Sequence, residues 1–477
     1  MREKINPAIQ KLDKLRQALK LGEVIQRLSG RSPGHLDLQS LPCPLTGQIT
    51  DPLQIHDNVQ DFFEDWHALP KNLDPAAHHL AQHPTWWKSL LEYTETGSPQ
   101  LLTKRSQIPP PLQNGLRRAC AVKVSPRIET LLDETINRPV TYEEFNSSLN
   151  DIPAGGAGGL SEMSANMAKG WSQTTRRIVH AHMDNIWKTR STPEWFKDKV
   201  IKLAPKVSGN AELKNMRPIS LYETTRKAWT TIIGKRIHLA WHENDVLHPK
   251  QYGYRLDQGT HMALFSVLNE IEGANHTKTT KHATFWDIRR AFDSIPRNIQ
   301  KLAWVRLGVP MDVAEWFVEL DDGGLSFIST PYFHMNKDLK TPSNLKTKSG
   351  HFTNATHLGY KAQRGIGQGE SVSSLLWTAL YDILLEWIDP TNRHLHVAET
   401  ELDYTDADAE GASPSAYADD LCTITPGSRA EYMQQIVATW LSAFCAFTGM
   451  MMHPSIYPSI HPSIYPSIHP SIQYIML

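Results

Sequence analysis

The sequence predicts an α+β fold, because short strand-like segments and long helical patterns alternate through its second half. Residues 283–286 (ATFW) have the β-branched and aromatic content of a short buried strand that ends at Asp287. Residues 417–424 (YADDLCTI) have the pattern of a β-hairpin with an acidic tip. Between them, a helix that begins at Ser371 or Ser373 has a strongly apolar face. This face consists of Val372, Leu375, Leu376, Ala379, Leu380, Ile383 and Leu384.

The composition is that of a globular protein without a disulfide framework. The 477 residues are 40% apolar and 21% charged, and the formal net charge is −1. This near-neutral balance gives no global sign of a nucleic-acid partner, so any such sign must be local. The four cysteines are too few and too widely spaced for a disulfide-stapled scaffold or a zinc site, and we expect no zinc.

Residues 1–139 are expected to form a mostly helical N-terminal region of unknown role. Residues 1–30 alternate basic and apolar positions at helical spacing, whereas residues 31–53 are rich in Pro, Gly, Ser and Asp and predict a loop. Short helical patterns follow at 57–69 (DNVQDFFEDWHAL) and 83–95 (HPTWWKSLLEYTE).

Helix-start signals become frequent from Val140 onward. Thr141, with a glutamate three residues later, has a capping-box signature. A glycine-rich loop at 153–160 (PAGGAGGL) precedes one long helical pattern that extends to about Thr189. Pro296 opens a further helical pattern, which closes at Gly308.

Two C-terminal segments differ from the rest of the chain. Residues 436–452 are 17 residues without formal charge, which is short for a membrane span; their apolar residues recur at helical spacing, so we predict a core helix and no membrane. Residues 453–472 are five copies of an HPSI or YPSI unit, and proline at every fourth position blocks helix and central strand alike. We therefore expect residues 453–477 to form a disordered low-complexity tail.

Three carboxylates are the candidate catalytic and metal-ligating groups. Asp287 ends a predicted strand, and Asp419 and Asp420 occupy the predicted hairpin tip. Neighbouring carboxylates repel each other unless a cation neutralises them, and hard oxygen donors favour Mg²⁺. With Asp287 beside Asp419, the site could hold two ions about 3.5–4 Å apart, as in-line phosphoryl transfer requires.

Each of these features alone also has an ordinary structural explanation. An Asp-Asp pair in a turn is most often solvated, and a strand-terminal Asp is usually a cap. The glycine-rich loop at 365–369 (GIGQG) permits close backbone approach, but many tight turns have a similar sequence. The combination and order of the features carry the functional argument.

In that order, the motifs resemble those of reverse transcriptases. Segments 285–294 (FWDIRRAFDS), 365–374 (GIGQGESVSS) and 417–420 (YADD) are similar to the palm motifs, most of all to those of non-LTR (LINE-type) retrotransposons. Upstream, residues 200–237 resemble the fingers segment, and residues 251–260 (QYGYRLDQGT) resemble the short motif that precedes the palm.

The resemblance covers residues 140–452 and implies the fingers and palm of a right-hand polymerase. The basic segment expected after Gly449 gives way to the repeat, so we expect a chain truncated after the palm motifs, with the thumb missing. The implied function is RNA-directed DNA polymerisation for a retrotransposon, with an RNA template, a DNA primer and dNTPs as partners. The implied cofactor is a pair of Mg²⁺ ions, for which Mn²⁺ would be a substitute.

The resemblance also implies a role for each matching residue. Asp287 and Asp419 would be metal ligands, with Asp420 as the less direct third carboxylate. The implied substrate-binding residues are Lys206 and Arg217 for the triphosphate, Phe292 as the ring that blocks a ribose 2′-hydroxyl, Gln368 and Gly369 against the nascent base pair, and Tyr417 at the primer end.

A local excess of positive charge agrees with a nucleic-acid partner. Residues 197–260 contain twelve Lys and Arg against six Asp and Glu. Such a segment suits binding of a phosphate backbone, although a solvated helical face would have a similar composition.

Two other functions remain open at this stage. One is a catalytically dead element fragment that only binds nucleic acid; the other is an RNA-dependent RNA polymerase, against which Phe292 argues.

A cluster of His180, His182 and Asp184 imitates a metal site, but residues two apart do not share a helix face. We therefore interpret these three as surface or core residues.

Overall fold

The computed structural model describes residues 41–43, 47–49, 52–68, 118–206, 212–329, 359–388, 413–427, 430–448, 450–452 and 475–476. The helical patterns predicted at 1–30 and 83–95 and the HPSI/YPSI repeat lie outside the described residues. The disordered tail predicted for residues 453–477 is wrong at 475–476, where Ile475 and Met476 pair antiparallel with Ala283 and His282, because the prolines of the repeat end before these residues. The chain divides into two compact units. The first comprises Met1–Phe62, Ile201–Ile219 and Ile328–His357; the second comprises Phe63–Val200, Ser220–Phe327 and Leu358–Leu477.

The described structure contains both helices and strands, in agreement with the predicted α+β class, and helices make up most of it. They are α1 (Pro52–His67), α2 (Pro126–Asn137), α3 (Tyr142–Asp151), α4 (Ala165–Lys169), α5 (Gln173–Thr189), α6 (Glu194–Lys197), α7 (Thr224–Glu243), α8 (Thr260–Thr277), α9 (Arg297–Arg306), α10 (Met311–Glu319), α11 (Ser371–Ile388) and α12 (Ala430–Thr448).

The strands are short. They are β1 (Leu41–Cys43), β2 (Gly47–Ile49), β3 (Lys199–Pro205), β4 (Met216–Leu221), β5 (Lys281–Trp286), β6 (Ile288–Arg289), β7 (Leu325–Ser329), β8 (Tyr360–Lys361), β9 (Ser413–Tyr417), β10 (Asp420–Pro426), β11 (Met451–Met452) and β12 (Ile475–Met476). In the second unit, an antiparallel sheet has the order β12-β5-β10-β9, and β6 pairs with β11.

In the first unit, the loop predicted for residues 31–53 is wrong where the structure describes this segment. Strands β1 and β2 pair antiparallel, with Leu41 opposite Ile49 and Pro42 opposite Gln48. A two-stranded ladder consists only of edge strands, where a proline is tolerated, so the Pro and Gly content misled the prediction. In the same unit, β3 and β4 are neighbours, and the amide of Lys206 donates to the carbonyl of Asn215 over 2.8 Å.

Several predicted helix starts in the second unit are confirmed by the capping geometry. Thr141 and Glu144 form both hydrogen bonds of a capping box at the start of α3. Pro296 is the N-cap residue of α9. The single long helix expected up to Thr189 is instead two helices, because α4 ends at Lys169 with Gly170 as its C-cap, and Ser172 caps a new helix.

The core of the second unit surrounds α11, whose side chains are buried on nearly every face. It packs against α7, α9 and α12, and the buried residues include Trp229, Trp304, Trp377 and Trp440. The apolar stretch at 436–452 therefore lies in and just after a core helix, as predicted. Across the ranges that the structure describes, no helix is long and apolar enough to cross a membrane.

Candidate active site

Strand β5 delivers Asp287 to the edge of the sheet. Ala283, Thr284 and Trp286 are buried, and the indole Nε1 of Trp286 donates to Oγ1 of Thr423 on β10 over 2.8 Å. This buried hydrogen bond fixes the end of β5 against its neighbour. Asp287 is the next residue, and it is partly exposed, as a carboxylate at the rim of a cleft would be.

The predicted acidic hairpin is also confirmed. Strands β9 and β10 pair with Tyr417 opposite Asp420, so Ala418 and Asp419 form the turn. Ala418 has a φ of +57°, a left-handed conformation that is uncommon for a residue other than glycine. The hairpin tip therefore presents Asp419 and Asp420 on a backbone that other groups must hold in place.

The register of β5 and β10 brings Asp420 beside Asp287, and Asp419 is the preceding residue in the hairpin turn. Leu421 lies opposite Trp286, so Asp420 and Asp287 are the next residues on the two antiparallel strands. The pKa of Asp420 is raised by partial burial and by the negative charge of Asp287. Asp287 is thus close enough for its negative charge to disfavour the ionisation of Asp420.

A buried tyrosine on α11 contacts the backbone of the hairpin tip. The hydroxyl of Tyr381 donates to the backbone carbonyl of Asp419 over 3.3 Å. Burial raises the pKa of Tyr381, and the charges of Asp419, Asp420 and Asp287 raise this pKa further.

These carboxylates have the donor chemistry that a magnesium ion needs, but they do not form a closed cage. Among the residues that the structure describes, no three His, Cys, Asp or Glu side chains are grouped as an ion site. Mg²⁺ usually takes only one or two carboxylates from the protein and completes its shell with water and substrate phosphates. The mutual repulsion at Asp420 is the feature that a bound cation would relieve.

Phe292 follows Asp287 by five positions and lies on the short 3₁₀ turn Ala291–Ser294. Its ring stacks on Trp377 of α11 with centroids 5.0 Å apart, and Tyr254 packs edge-on at 6.4 Å. The pKa of Tyr254 is raised by burial and then by the charge of Asp419. Tyr254 therefore packs on the Phe292 ring and lies within the electrostatic field of Asp419.

The glycine-rich loop before α11 is held close to the backbone of two neighbouring segments. Gly365 (φ +92°) and Gly369 (φ +141°) adopt conformations that favour glycine. The backbone carbonyl of Gln368 accepts a hydrogen bond from the Ser220 amide over 2.8 Å. The side-chain amide of Gln368 donates to the two oxygens of the Asp293 carboxylate, at 3.3 and 3.4 Å. The structure thus orients Gln368 through Asp293; its contact with a base pair stays a prediction.

Asp293 is a buried carboxylate that connects this loop with the end of α1. It accepts the indole N–H of Trp66 over 3.1 Å, and Nε2 of His67 lies 3.9 Å away. The guanidinium of Arg290 stacks over the Trp66 ring at 3.4 Å. Residues from the N-terminal region therefore help to hold the loop, which gives part of that region a structural role.

A second buried carboxylate anchors the other end of the loop. Glu370 accepts two hydrogen bonds from the Arg226 guanidinium, at 2.8 and 2.9 Å, and Arg226 also donates to Asp321 over 3.0 Å. Arg226 stacks on the Tyr222 ring at 4.0 Å, and its pKa is raised by both carboxylates despite complete burial. This ion network fixes the loop to α7 and to the residues after α10.

The remaining predicted substrate-binding residues keep the status of predictions. Tyr417 is partly buried at the end of β9 and contributes no contact that tests its predicted role at the primer end. Lys206 and Arg217 belong to the first unit, where both side chains are exposed. Exposure leaves these cations available for a phosphate group.

Not all of the twelve basic residues at 197–260 contribute to the surface charge, because some of them are buried. Lys197, Lys199, Arg226 and Arg236 are buried, and each has a carboxylate partner within 3.5 Å. The basic surface is therefore smaller than the residue count predicts.

His180, His182 and Asp184 each make a contact of their own with another residue of the second unit, in agreement with their interpretation as surface or core residues. His180 bonds to the carbonyl of Val140 over 2.8 Å, His182 stacks on Trp195, and Asp184 pairs with Lys188.

Five residues that support the site without carrying its chemistry were not predicted from the sequence. Gln251 and Tyr381 bond to the backbone of the hairpin tip, Asp293 and Glu370 hold the glycine-rich loop, and Tyr254 packs on Phe292. Gln251 and Tyr254 stand in a motif recognised only as a resemblance, and the glycine between them was the available signal for close backbone contact.

Comparison with known proteins agrees with this arrangement. Residues 204–455, more than half of the chain, match the family described as reverse transcriptase (RNA-dependent DNA polymerase). The chain belongs to this family. It is also similar to the retrovirus-related Pol polyprotein from the type-1 retrotransposable element R2 of Popillia japonica, at 23% identity over 208 residues. That match covers 44% of this chain and 24% of the relative, so the chain aligns with about a quarter of that polyprotein. The predicted similarity to reverse transcriptases of non-LTR retrotransposons is confirmed.

Proposed function

We propose that this chain is an RNA-directed DNA polymerase that extends a DNA primer on an RNA template with dNTPs. The observation that carries the proposal is the convergence of Asp287, Asp419 and Asp420 at the end of β5 and the tip of the β9–β10 hairpin. Family membership supplies the substrate class, and the R2 relative supplies the retrotransposon context.

In this proposal, residues 140–452 are the fingers and palm, and strands β5, β10 and β9 belong to the palm. Asp287 and Asp419 hold two divalent cations, with Asp420 as the less direct ligand. When bound, Mg²⁺ would supply Lewis acidity and charge neutralisation at the reacting phosphates. The pKa of Asp420, raised by burial and then by the charge of Asp287, supports this assignment, because a cation would stabilise the ionised form of such a group.

The protein's other residues would position the substrates. The Phe292 ring, held between Trp377 and Tyr254, would occupy the space of a ribose 2′-hydroxyl. Gln368 and Gly369 would lie against the nascent base pair, with Gln368 oriented by Asp293. Lys206 and Arg217 would bind the triphosphate, where Arg offers a bidentate fork and Lys a point charge.

The test is primer extension on an RNA template in the presence of Mg²⁺. Asp287→Asn and Asp419→Asn should each reduce dNTP incorporation by about 10²–10³-fold or more, because each removes a charge at the reacting centre. Asp322→Asn is the matched control, since Asp322 is an exposed carboxylate outside the cluster. Unchanged incorporation in either cluster variant would refute the metal-site assignment.

A binding assay separates the proposed enzyme from a fragment that only binds nucleic acid. Salt-dependent binding of primer–template by the unmodified chain, without Mg²⁺-dependent extension, would establish the binding-only alternative. Equal use of dNTPs and rNTPs by the unmodified chain would favour an RNA-dependent RNA polymerase.

A further inference from the structure

The side-chain amide of Gln251 is bonded to the backbone on both sides of Ala418, the residue before Asp419. Its Nε2 donates to the carbonyl of Ala418 over 3.1 Å, and its Oε1 accepts the Ala418 amide over 3.1 Å. The same Oε1 accepts the Gly253 amide over 2.8 Å. Gln251 is 1% exposed, so water does not compete for these bonds.

The backbone around Gln251 is joined to the hairpin as well. Gln251 forms a parallel bridge with Ala416; the amide of Tyr252 donates to the Ala416 carbonyl over 2.8 Å, and the amide of Ala416 donates to the Lys250 carbonyl over 2.9 Å. A Cβ on Gly253 would clash with the backbone nitrogen of Ala418. The segment 250–253 therefore lies directly against the hairpin, and only glycine fits at its closest point.

Ala418 needs such support because its conformation is unfavourable. A φ of +57° costs a residue with a Cβ roughly 1–2 kcal/mol relative to the right-handed region. A paired amide that satisfies both the N–H and the C=O of Ala418 selects this conformation over the alternatives. The backbone conformation of Ala418 sets the orientation of the Ala418–Asp419 peptide. It therefore also sets the direction in which the Asp419 side chain leaves the backbone.

We infer that Gln251 is a positioning residue for Asp419: it fixes the left-handed turn of the hairpin so that the Asp419 carboxylate is aimed at the metal site. The inference rests on the proposed function for its consequence, cation binding during nucleotidyl transfer. It concerns a residue that touches neither substrate nor cation, so it acts through the backbone of Ala418. The Tyr381 hydroxyl donates to the carbonyl of Asp419, the residue after Ala418, and so supports the same turn at its second residue.

The experiment compares two substitutions of Gln251 with one of a second buried glutamine. Gln251→Met keeps the size of the side chain and removes all three hydrogen bonds, whereas Gln251→Glu keeps the acceptor and removes the donor to the Ala418 carbonyl. Gln434→Met is the matched control, because Gln434 is 2% exposed and its amide has no hydrogen-bond partner among the described residues. Each protein is assayed for the Mg²⁺ concentration that gives half-maximal primer extension, and for hydrogen exchange in the peptide that covers 413–427.

We expect both Gln251 variants to raise the half-saturating Mg²⁺ concentration by about tenfold or more, since a buried backbone group left unpaired costs about that factor. The KM for dNTP at saturating Mg²⁺ should stay within about twofold, because no substrate contact is removed. Hydrogen exchange at 416–421 should accelerate in both variants and stay unchanged in Gln434→Met. A purely structural role would slow extension without moving the Mg²⁺ dependence.

The outcomes distinguish this inference from the proposed function. An active unmodified chain, together with Gln251 variants of unchanged Mg²⁺ dependence, would overturn the inference and leave the proposed function intact. An unmodified chain without any Mg²⁺-dependent extension would refute the proposed function. In that case hydrogen exchange decides the role of Gln251 at the turn: unaltered exchange at 416–421 overturns it. If Gln251→Met does not fold, Gln251→Glu provides both measurements.

Discussion

The substitution Gly369→Ala should damage both the stability of the second unit and the binding of the incoming nucleotide. Gly369 has a φ of +141°, which is essentially restricted to glycine, and an added Cβ would clash with the carbonyl oxygen of Ser220. The clash involves backbone on both sides, so no change of side-chain rotamer relieves it.

The magnitude follows from two contributions. Forcing alanine into this region of backbone conformation costs about 1–3 kcal/mol, and the displacement of packed backbone adds about 1–3 kcal/mol. The free energy of unfolding should therefore fall by about 2–6 kcal/mol, and movement of the loop away from Ser220 would reduce this loss. Such movement would disturb the bond between the Gln368 carbonyl and the Ser220 amide, so the KM for dNTP should rise.

The assay is chemical denaturation together with single-nucleotide incorporation at varied dNTP concentration. Gly273→Ala is the matched control: Gly273 lies inside α8, and nothing lies within 4 Å of an added Cβ. This control should stabilise the protein by up to about 1 kcal/mol, because alanine is the better helix former. If Gly369→Ala behaved like Gly273→Ala in both assays, the described geometry of the loop would be refuted.

Three further predictions test other contacts of the site. Phe292→Ala should increase incorporation of rNTPs relative to dNTPs, and an unchanged ratio in competition assays would exclude Phe292 as the discriminating ring. Because the folded-state pKa of Asp420 is raised, its stabilising contribution is present at acidic pH and is lost as pH rises through that pKa. Asp420→Asn should thus raise the melting temperature in EDTA more at pH 7 than at pH 4; an equal effect at both would contradict this electrostatic account. Arg226→Met leaves buried Glu370 without its partner and should destabilise the protein by about 3–5 kcal/mol in chemical denaturation, and a loss below about 1 kcal/mol would show that the network is dispensable.

The parts of the site set by local sequence could be predicted. A strand that ends at Asp287, a hairpin with Asp419 at its tip, and the capping box at Thr141 are each specified by residues within a few positions of one another. Their local signals agree with the tertiary packing, so the prediction holds. The break at Gly170 was missed because α4 and α5 continue a similar apolar pattern.

The supporting contacts could not be predicted, because their partners are far apart in sequence. Trp66 and Asp293 are separated by 227 positions, and Gln251 and Ala418 by 167. Neither pair has a spacing that a periodicity could reveal. For the same reason a residue count cannot distinguish the buried cation of Arg226 from an exposed one.

The most direct test of the central claim is cleavage of the backbone by hydroxyl radicals generated at bound Fe²⁺, which substitutes for Mg²⁺ at oxygen-rich sites. If the carboxylates at the end of β5 and at the β9–β10 tip hold the same cations, cuts should appear both near residue 287 and near residues 418–420. Mg²⁺ should suppress both sets of cuts together, and Asp419→Asn should weaken both. Cleavage at one segment without the other would contradict the shared site.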